Sequence, residues 1–245
     1  MTVALVTGGG SGIGEATARL LATRGVQVVV ADVNEPAAQA VAHDIGAAAA
    51  AIAVDVADAD SVAAAVDFTV AQFGGLDWAC NIAGIAPEPK PFVDHTLADW
   101  QRTIDINLSG VFYCMQSELR VMLAQGRGGA IVNMSSGAGI IPAPGQPQYT
   151  AAKHGVLGLT KQVAQEYAAQ GIRVNAVLPG QTETGPMRAY LDAMPDGGER
   201  MLRRLPMKRM ATTLEIAQAV VWLCSDEASY VNGDSLVVDG GLITR

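Results

Sequence analysis

The sequence predicts a doubly wound α/β fold, a Rossmann-type domain whose central parallel sheet of about seven strands is covered by helices on both faces. Short β-branched runs alternate along the chain with longer segments of helical periodicity, and the strand-like runs are continuously apolar. Strands that are buried on both faces of a parallel sheet have this apolar character. Half of the 245 residues are hydrophobic, so we expect one compact domain over residues 1–245.

The elements follow one another in a regular order. The predicted strands cover residues 3–7, 26–31, 51–54, 76–79, 130–134, 172–178 and 235–238. Helical spacing of apolar residues covers 13–23, 61–73, 97–124, 149–169 and 214–224. Thr96 with Asp99, and Thr212 with Glu215, place an acid three residues after a threonine, which predicts a capped helix start at each position.

Charge and composition argue against several classes of protein. The chain has 16 Lys and Arg against 24 Asp and Glu, a net charge of −8, which disfavours nucleic acid or an anionic membrane as a partner. The first strand-like run begins almost at Met1, and no apolar run approaches the ~18 residues of a spanning helix. We therefore expect a cytoplasmic protein.

The cysteines and histidines do not predict a metal site. Cys80, Cys114 and Cys224 are widely separated and contain no CxxC pair, so we expect them to be small core residues. The three histidines lack the HExxH spacing. No catalytic metal is expected.

A glycine-rich turn follows the first predicted strand. The stretch TGGGSGIG, from Thr7 to Gly14, runs directly into a predicted helix, where a backbone can approach a pyrophosphate. Asp32 follows the second strand, and its carboxylate would hydrogen-bond an adenosine ribose and repel a 2′-phosphate. An ordinary helix cap is the alternative for Asp32. Because Ser11 and Val33 are not basic, NAD is favoured over NADP.

The stretch QYTAAKHG, residues 148–155, places Tyr149 and Lys153 four residues apart and therefore on one face of a predicted helix. The Gly- and Pro-rich residues 137–147 before it form a loop after a predicted strand. In open α/β sheets this edge binds ligands. From the octet alone, a tyrosine and a lysine at a helix surface remain the simpler interpretation.

Motifs along essentially the whole chain resemble those of the short-chain dehydrogenases/reductases. TGGGSGIG is similar to the family's TGxxxGIG. It is followed in the family's order by Asp55 with Val56, NIAG at 81–84, INLSGVF at 106–112, IVNMSS at 131–136, YTAAK at 149–153, RVNAVLPG at 173–180 and VDGG at 238–241. The resemblance implies an NAD(H)-dependent oxidoreductase that interconverts a secondary alcohol and a ketone.

The resemblance implies a role for each of four residues. Tyr149 would be the general acid/base at the substrate oxygen, and the charge of Lys153 would lower the pKa of its phenol. Ser136, 13 residues before Tyr149, would donate to the substrate oxygen, whereas Ser135 is expected to pair with backbone. Asn107 would anchor a water in a proton relay behind Lys153; an Asn that only kinks its helix is the alternative.

The resemblance also implies the residues that contact the cofactor. They are Gly8, Ser11, Gly12, Ile13, Gly14, Asp32, Val33, Asp55, Val56, Asn81, Ala83, Gly84, Tyr149, Lys153, Pro179, Gly180, Thr182 and Thr184. Close packing is the alternative for the small residues at 81–84, and an ordinary strand-end acid is the alternative for Asp55. Thr182 departs from the family pattern, where Ile or Val is usual, and this puts the local packing in question.

Residues 185–210 are expected to form a substrate lid. Five of the nine methionines lie there: Met187, Met194, Met201, Met207 and Met210. Methionine adapts to irregular apolar shapes, although ordinary helix packing explains most of them better. The small residues Gly137, Ala138 and Gly139 predict room beside the reacting carbon, which favours an apolar, aromatic or cyclic substrate. Family members are commonly tetramers, so the resemblance implies a homotetramer.

A catalytically silent protein of the same fold, which senses a dinucleotide or acts as a scaffold, is the alternative function. The complete set of Asn107, Ser136, Tyr149 and Lys153 argues against it, because a sensor needs no acid/base group. A serine hydrolase is disfavoured because the chain has no GxSxG elbow.

Overall fold

The computed structural model describes residues 1–194 and 196–244 and has the predicted parallel architecture. The strands are β1 Val3–Thr7, β2 Gln27–Asp32, β3 Ala49–Ala53, β4 Trp78–Asn81, β5 Gly129–Met134, β6 Ile172–Pro179 and β7 Ser235–Val238. They form one sheet in the order β3-β2-β1-β4-β5-β6-β7, with every pairing parallel. The strand order reverses between β1 and β4, so the ligand-binding crevice of this topology lies at their carboxyl ends.

Helices cover both faces of the sheet. They are α1 Gly12–Thr23, α2 Glu35–Ile45, α3 Ala59–Phe73, α4 Leu97–Ile104, α5 Gly110–Gln125, α6 Pro147–Tyr167, α7 Gly185–Asp192, α8 Glu199–Arg204 and α9 Thr213–Cys224. Helices α1, α2 and α9 form one apolar layer with the sheet, and α3, α5 and α6 form the other. The predicted fold is confirmed.

Successive strand residues face the two layers alternately. In β1, Ala4 and Val6 pack into the first cluster and Leu5 into the second, as the two-residue period of a strand requires. Because both faces are covered, every residue of β1 is buried. This double burial explains why the strands are continuously apolar in sequence.

Three features of the helices differ from the sequence prediction or extend it. The single helix predicted over 97–124 is interrupted by a π-helical segment, Asp105–Ser109, between α4 and α5. Helix α2 was not predicted, because its buried face consists only of Ala38, Val41 and Ala42 and its apolar periodicity is weak. Residues 185–210 contain α7 and α8, apart from Pro195, which lies outside the described residues.

Both predicted helix starts are confirmed. The Thr96 hydroxyl accepts a hydrogen bond from Asp99 N at 3.0 Å, and the Asp99 carboxylate accepts one from Thr96 N at 3.1 Å. Thr212 and Glu215 form the same reciprocal pair at the start of α9. Within the described residues, no helix is long and apolar enough to cross a membrane.

The methionines of residues 185–210 mainly join helices to one another. Leu191, Leu205 and Met210 are buried in a small separate cluster, and Met187, Met194, Met201, Leu202 and Leu242 pack against it. Met207 is 58% exposed. Ordinary helix packing therefore accounts for four of the five methionines, and the mobility of this segment remains a prediction.

The cysteines are small core residues, as predicted. Cys80, Cys114 and Cys224 are free thiols, and each is at most 2% exposed. The Sγ atoms of Cys80 and Cys224 lie 3.7 Å apart.

Gly14→Ala is expected to lower the free energy of unfolding by about 1–3 kcal/mol. A Cβ at Gly14 would collide with the Gly8 carbonyl group, whose carbon would lie 2.6 Å away, so α1 would be pushed from the turn that precedes it. Gly158→Ala is the matched control, because a Cβ at this helical glycine meets no atom within 4 Å. Urea unfolding of both variants measures the difference, and equal midpoints would contradict the close packing of the turn.

Candidate active site

Tyr149 and Lys153 lie on successive turns of α6, which begins with Pro147, a residue suited to the first helical position. Lys153 is 3% exposed, and its Nζ donates a hydrogen bond of 2.8 Å to the backbone carbonyl of Met134. The same Nζ lies 5.5 Å from the centroid of the Tyr149 ring. Burial lowers the pKa of Lys153 to about 8, because a low-dielectric environment disfavours the ammonium.

Two adjacent serines at the end of β5 have different surroundings. The Ser136 hydroxyl accepts a hydrogen bond from Ala138 N at 3.2 Å and also interacts with the Tyr149 phenol. Burial raises the pKa of Tyr149, and the Ser136 hydrogen bond partly offsets this increase. Ser135 is buried, and its Oγ donates to the backbone carbonyl of Lys153 at 3.0 Å. Ser135 is therefore paired with backbone, as predicted, and Ser136 faces the phenol.

Asn107 lies in the π-helical segment and is fully buried. Its amide nitrogen donates to the carbonyls of Ile85 and Thr103, each at 3.1 Å, and its Oδ1 accepts from Ile85 N at 3.2 Å. Both amide hydrogens are used, so the side chain can enter a water relay only as an acceptor. A Cβ at Gly84 would lie 2.7 Å from Asn107 Oδ1 and 3.6 Å from Lys153 Nζ. Gly84 therefore allows the loop after β4 to approach both residues.

The glycine-rich turn has the form of a cradle for a dinucleotide. Gly8 has a φ of 67°, and a Cβ there would lie 2.9 Å from the backbone of Ala83. Gly12, with a φ of 57°, faces the Thr184 methyl group. Among the described residues, the Ser11 side chain makes no capping hydrogen bond to α1, which leaves N–H groups at this helix start available to an anion. These residues fit a pyrophosphate.

The Asp32 carboxylate stabilises the turn as well as facing the crevice. Its Oδ2 accepts a hydrogen bond from Gly10 N and its Oδ1 accepts one from Asn34 N, each at 2.9 Å. Asp32 does not cap α2, because the cap is Asn34, whose side chain accepts a hydrogen bond from Ala37 N. Each oxygen keeps a further lone pair that can accept from a ribose hydroxyl. The neighbouring Val33 is 74% exposed.

The residues predicted for the adenosine end are divided between the surface and the core. Asp55 is exposed, and its Oδ1 accepts from Ala57 N at 2.9 Å, whereas Val56 is buried. Asn81 is 2% exposed, and its amide donates to Glu118 and Asn133 in the core. Because the Asn81 side chain is enclosed in the core, the predicted cofactor contact falls to its backbone.

The segment after β6 explains the departure at Thr182. Its side chain is almost fully buried, and its hydroxyl donates to the Gly180 carbonyl at 3.1 Å. Thr182 also pairs in parallel with Ala211. The hydroxyl is therefore satisfied within the segment. Pro179 ends β6 at the carboxyl edge of the sheet. Thr184 accepts a hydrogen bond from Met187 N at the start of α7, and its methyl group lies beside Gly12 of the glycine-rich turn. Both residues therefore border the crevice.

Of the three small residues after Ser136, Gly139 does not create room for a substrate, and the room beside Gly137 remains a prediction. A Cβ at Gly139 would lie 2.7 Å from Ser135 Oγ and 2.9 Å from the Lys153 carbonyl. Gly139 therefore faces the core, where α6 packs against β5. Ile140 and Ile141, which follow in the same loop, are 48% and 42% exposed and give this loop an apolar surface.

A histidine that the sequence analysis did not assign joins the two loops around the site. His95 Nε2 lies 3.0 Å from the Gly145 carbonyl and 3.2 Å from the Lys90 carbonyl, and its Nδ1 lies 3.2 Å from Gln148 Nε2. A neutral ring that carries its proton on Nε2 satisfies all three contacts. The spacing of the histidines gave no signal, because the partners are two carbonyls and an amide.

An open groove of about 780 Å³ lies beside these loops. Its lining includes Phe92, Pro144 and His154 but neither Tyr149 nor Lys153, so it is distinct from the site around the phenol. In residues 1–194 and 196–244, no three His, Cys, Asp or Glu side chains come together in an arrangement that could hold a metal ion.

The chain is similar to several known proteins. A family described as Enoyl-(Acyl carrier protein) reductase matches residues 8–243. The chain is 46% identical to a cyclohexanol dehydrogenase of Acinetobacter sp. (strain SE19), over 99% of this chain and 95% of that protein. It is 48% identical to a cis-4-hydroxycyclohexanecarboxylate dehydrogenase of Sinomonas cyclohexanicum, over 98% and 95%. The crystal structure of a levodione reductase superposes with a TM-score of 0.93 at 38% identity, over 98% of this chain and 96% of that one.

Proposed function

The chain belongs to the short-chain dehydrogenase/reductase family, and from this premise we propose that it is an NAD(H)-dependent oxidoreductase acting on a cyclic secondary alcohol and the corresponding ketone. One observation carries the proposal: Ser136, Tyr149 and Lys153 meet at the carboxyl edge of β5. This edge adjoins the glycine-rich turn through the loop after β4, since Gly8 packs on Ala83.

Each of these side chains has a distinct task in the proposed reaction. A bound nicotinamide dinucleotide would accept the hydride from the carbinol carbon, or donate it to the ketone. The Ser136 hydroxyl would hold the substrate oxygen, and the Tyr149 phenol would take its proton during oxidation and return it during reduction. The Lys153 ammonium, 5.5 Å from the Tyr149 ring, would favour the phenolate. Asn107 would accept a hydrogen bond in the relay that returns the proton to solvent.

The Asp32 carboxylate is the basis of the proposed preference for NAD. A 2′-phosphate placed against its carboxylate would be repelled, whereas ribose hydroxyls could donate to it. Val33, the next residue, is exposed and apolar and offers no positive charge to a phosphate. The described arrangement therefore supports a preference for NAD over NADP.

The names of two relatives and the exposed isoleucines in the loop after Ser136 both favour a cyclic substrate. Cyclohexanol dehydrogenase and cis-4-hydroxycyclohexanecarboxylate dehydrogenase are named for alcohols that contain a six-membered ring. Exposed Ile140 and Ile141 offer aliphatic contact suited to such a ring. A cyclohexanol-type alcohol would bury more apolar surface here than a short linear one. Each additional buried methylene would strengthen binding by roughly 0.8 kcal/mol.

A panel of alcohols assayed by NADH absorbance tests the proposed function. We expect cyclohexanol and its substituted forms to give a higher kcat/KM than 2-propanol or 2-butanol. The matching ketones should oxidise NADH in the reverse direction. Turnover of short linear alcohols alone would contradict the substrate class, and absence of turnover across the panel would contradict the proposed activity.

Tyr149→Phe is expected to reduce kcat by ~10²–10⁴-fold, because it removes the proton carrier and keeps the ring. NADH binding, followed by fluorescence, should persist in this variant. Tyr230→Phe is the matched control, since Tyr230 is fully exposed and its loss of a hydroxyl should not change kcat. If Tyr149→Phe retained most of the activity, the assigned acid/base role would be wrong.

Asp32→Asn is expected to reduce the ratio of kcat/KM for NAD to that for NADP. The amide oxygen can still accept one of the two backbone N–H groups, while the charge that repels a 2′-phosphate is removed. Asp67→Asn, at an exposed position of α3, makes the same change in net charge and should leave the ratio unaltered. Equal use of both cofactors by the unmutated protein would contradict the assignment of Asp32.

We also propose that the protein is a cytoplasmic homotetramer built on α4, α5 and α6. Trp100, Phe112 and Leu123 are 40–45% exposed on α4 and α5, and apolar side chains of this size favour burial between subunits. Light scattering coupled to size exclusion measures the subunit number, and a monomer at micromolar concentration would contradict the proposal.

A further inference from the structure

Four polar side chains form a buried cluster directly beneath the site. Asn81 on β4, Glu118 on α5, Asn133 on β5 and Thr160 on α6 are each at most 2% exposed. The Asn81 amide nitrogen donates to Glu118 Oε2 at 3.1 Å and to Asn133 Oδ1 at 3.0 Å. The Asn133 amide nitrogen in turn donates to Thr160 Oγ1 at 3.0 Å. The cluster therefore links two strands and two helices.

Two oxygens of this cluster have no donor among the described residues: Asn81 Oδ1 and Glu118 Oε1. An ionised carboxylate in this position would be costly, because its charge is buried without a cation or a second hydrogen bond. A proton on Glu118 Oε1 changes this situation. The resulting hydroxyl would be a donor, and Asn81 Oδ1 is an acceptor without a partner on the residue whose Nδ2 already donates to Glu118 Oε2.

The cluster lies where the sheet enters the active site. Asn81 and Asn133 are register partners at the last rung between β4 and β5. The residues after Asn81 form the 82–84 loop that approaches Lys153, and Met134, directly after Asn133, supplies the carbonyl that holds Lys153 Nζ. A change in the spacing of these strand ends would therefore move both walls of the site.

We propose that Glu118 is a positioning residue that is held as a neutral carboxylic acid, and that its pair with Asn81 fixes the carboxyl ends of β4 and β5 beneath the cofactor and Lys153. It touches neither substrate nor cofactor and acts through Asn81 and Asn133. Its isosteric replacement by Gln preserves the pair, because an amide nitrogen can donate to Asn81 Oδ1 where the acid hydroxyl does.

The surroundings of Glu118 agree with a neutral acid. Burial raises its pKa to about 8, and the Asn81 hydrogen bond offsets only part of this rise. The ionisable groups coupled to it in the described chain are the Cys80 thiol on β4 and the Cys114 thiol on α5, with Cys224 of α9 beyond Cys80. Asn133 on β5 and Thr160 on α6, which belong to the same cluster, are uncharged. The buried residues of α3, which packs against α5, are uncharged as well and include Val66 and Thr69.

The first test compares the melting temperatures of the unmutated protein and Glu118→Gln across pH. The pKa of Glu118 is raised by folding, so its stabilising contribution is complete below the unfolded value of 4.5 and declines as pH rises to about 8. The melting temperature of Glu118→Gln relative to the unmutated protein should therefore increase between about pH 5 and about pH 8 and then remain level. Glu227→Gln, at an exposed position, should show no such trend.

The second test separates positioning from general stability. Glu118→Leu is expected to weaken NADH binding and to lower kcat by ~10-fold or more, because a small misplacement of catalytic groups costs at least this much. Glu118→Gln is expected to keep the NADH affinity and the kcat of the unmutated protein. The infrared carbonyl band of a protonated carboxylic acid should be present in the unmutated protein at pH 7 and absent from Glu118→Gln.

The results distinguish this proposal from the proposed function. A melting difference that is constant across pH, or no acid band, would overturn the neutral acid whether or not the protein oxidises an alcohol. Equal NADH binding and kcat in Glu118→Leu and Glu118→Gln would overturn the positioning role. Of these measurements, only kcat depends on the proposed function.

Discussion

The buried ammonium of Lys153 is the constraint to which the rest of the site conforms. A cation that is 3% exposed requires a partner, and Met134 supplies it through a backbone carbonyl at 2.8 Å. This bond requires α6 to lie close against the end of β5. Gly139 and Ser135 are small because the Lys153 backbone occupies the space beside them. The location of the phenol is a consequence, since Tyr149 is one helical turn from the lysine.

The same constraint produces the chemistry. Burial favours the neutral forms of both groups, raising the pKa of Tyr149 and lowering that of Lys153 to about 8. A phenol in such a site is poised between two protonation states, and a small added positive charge can decide which one prevails. Glu118, beneath the strand ends, is a third group whose neutral form is favoured by burial. The protein thus places several titratable groups where water does not screen them.

The fold followed from the sequence because its signals are local and periodic. Apolar strands, glycines at the turn and the two Thr–acid helix starts were readable directly. Alanines carry little periodic signal, so helix α2 is not visible in the sequence. An irregular helix at Asn107 is one of the two alternatives for that residue, but its π-helical form and its bonds to Ile85, which is distant in sequence, are visible only in the structure. Glu118 can be recognised in the sequence, because it is an acid between Cys114 and Leu119 on an otherwise apolar helix face. His95 gave none, because its partners are carbonyls and an amide.

The dependence of cyclohexanol oxidation on pH tests the central claim that a phenol beside a buried ammonium acts as the base. The measurement is the initial rate of NADH formation with saturating NAD, from about pH 6 to about pH 10, the upper limit being where a free tyrosine titrates. The account predicts a rate that rises to a plateau with an apparent pKa clearly below ~10, because the charge of the oxidised nicotinamide, together with that of Lys153 while it is protonated, outweighs the burial that raises the pKa of Tyr149 in the free protein. A rate that is still rising at about pH 10, as for an unperturbed phenol, would contradict it.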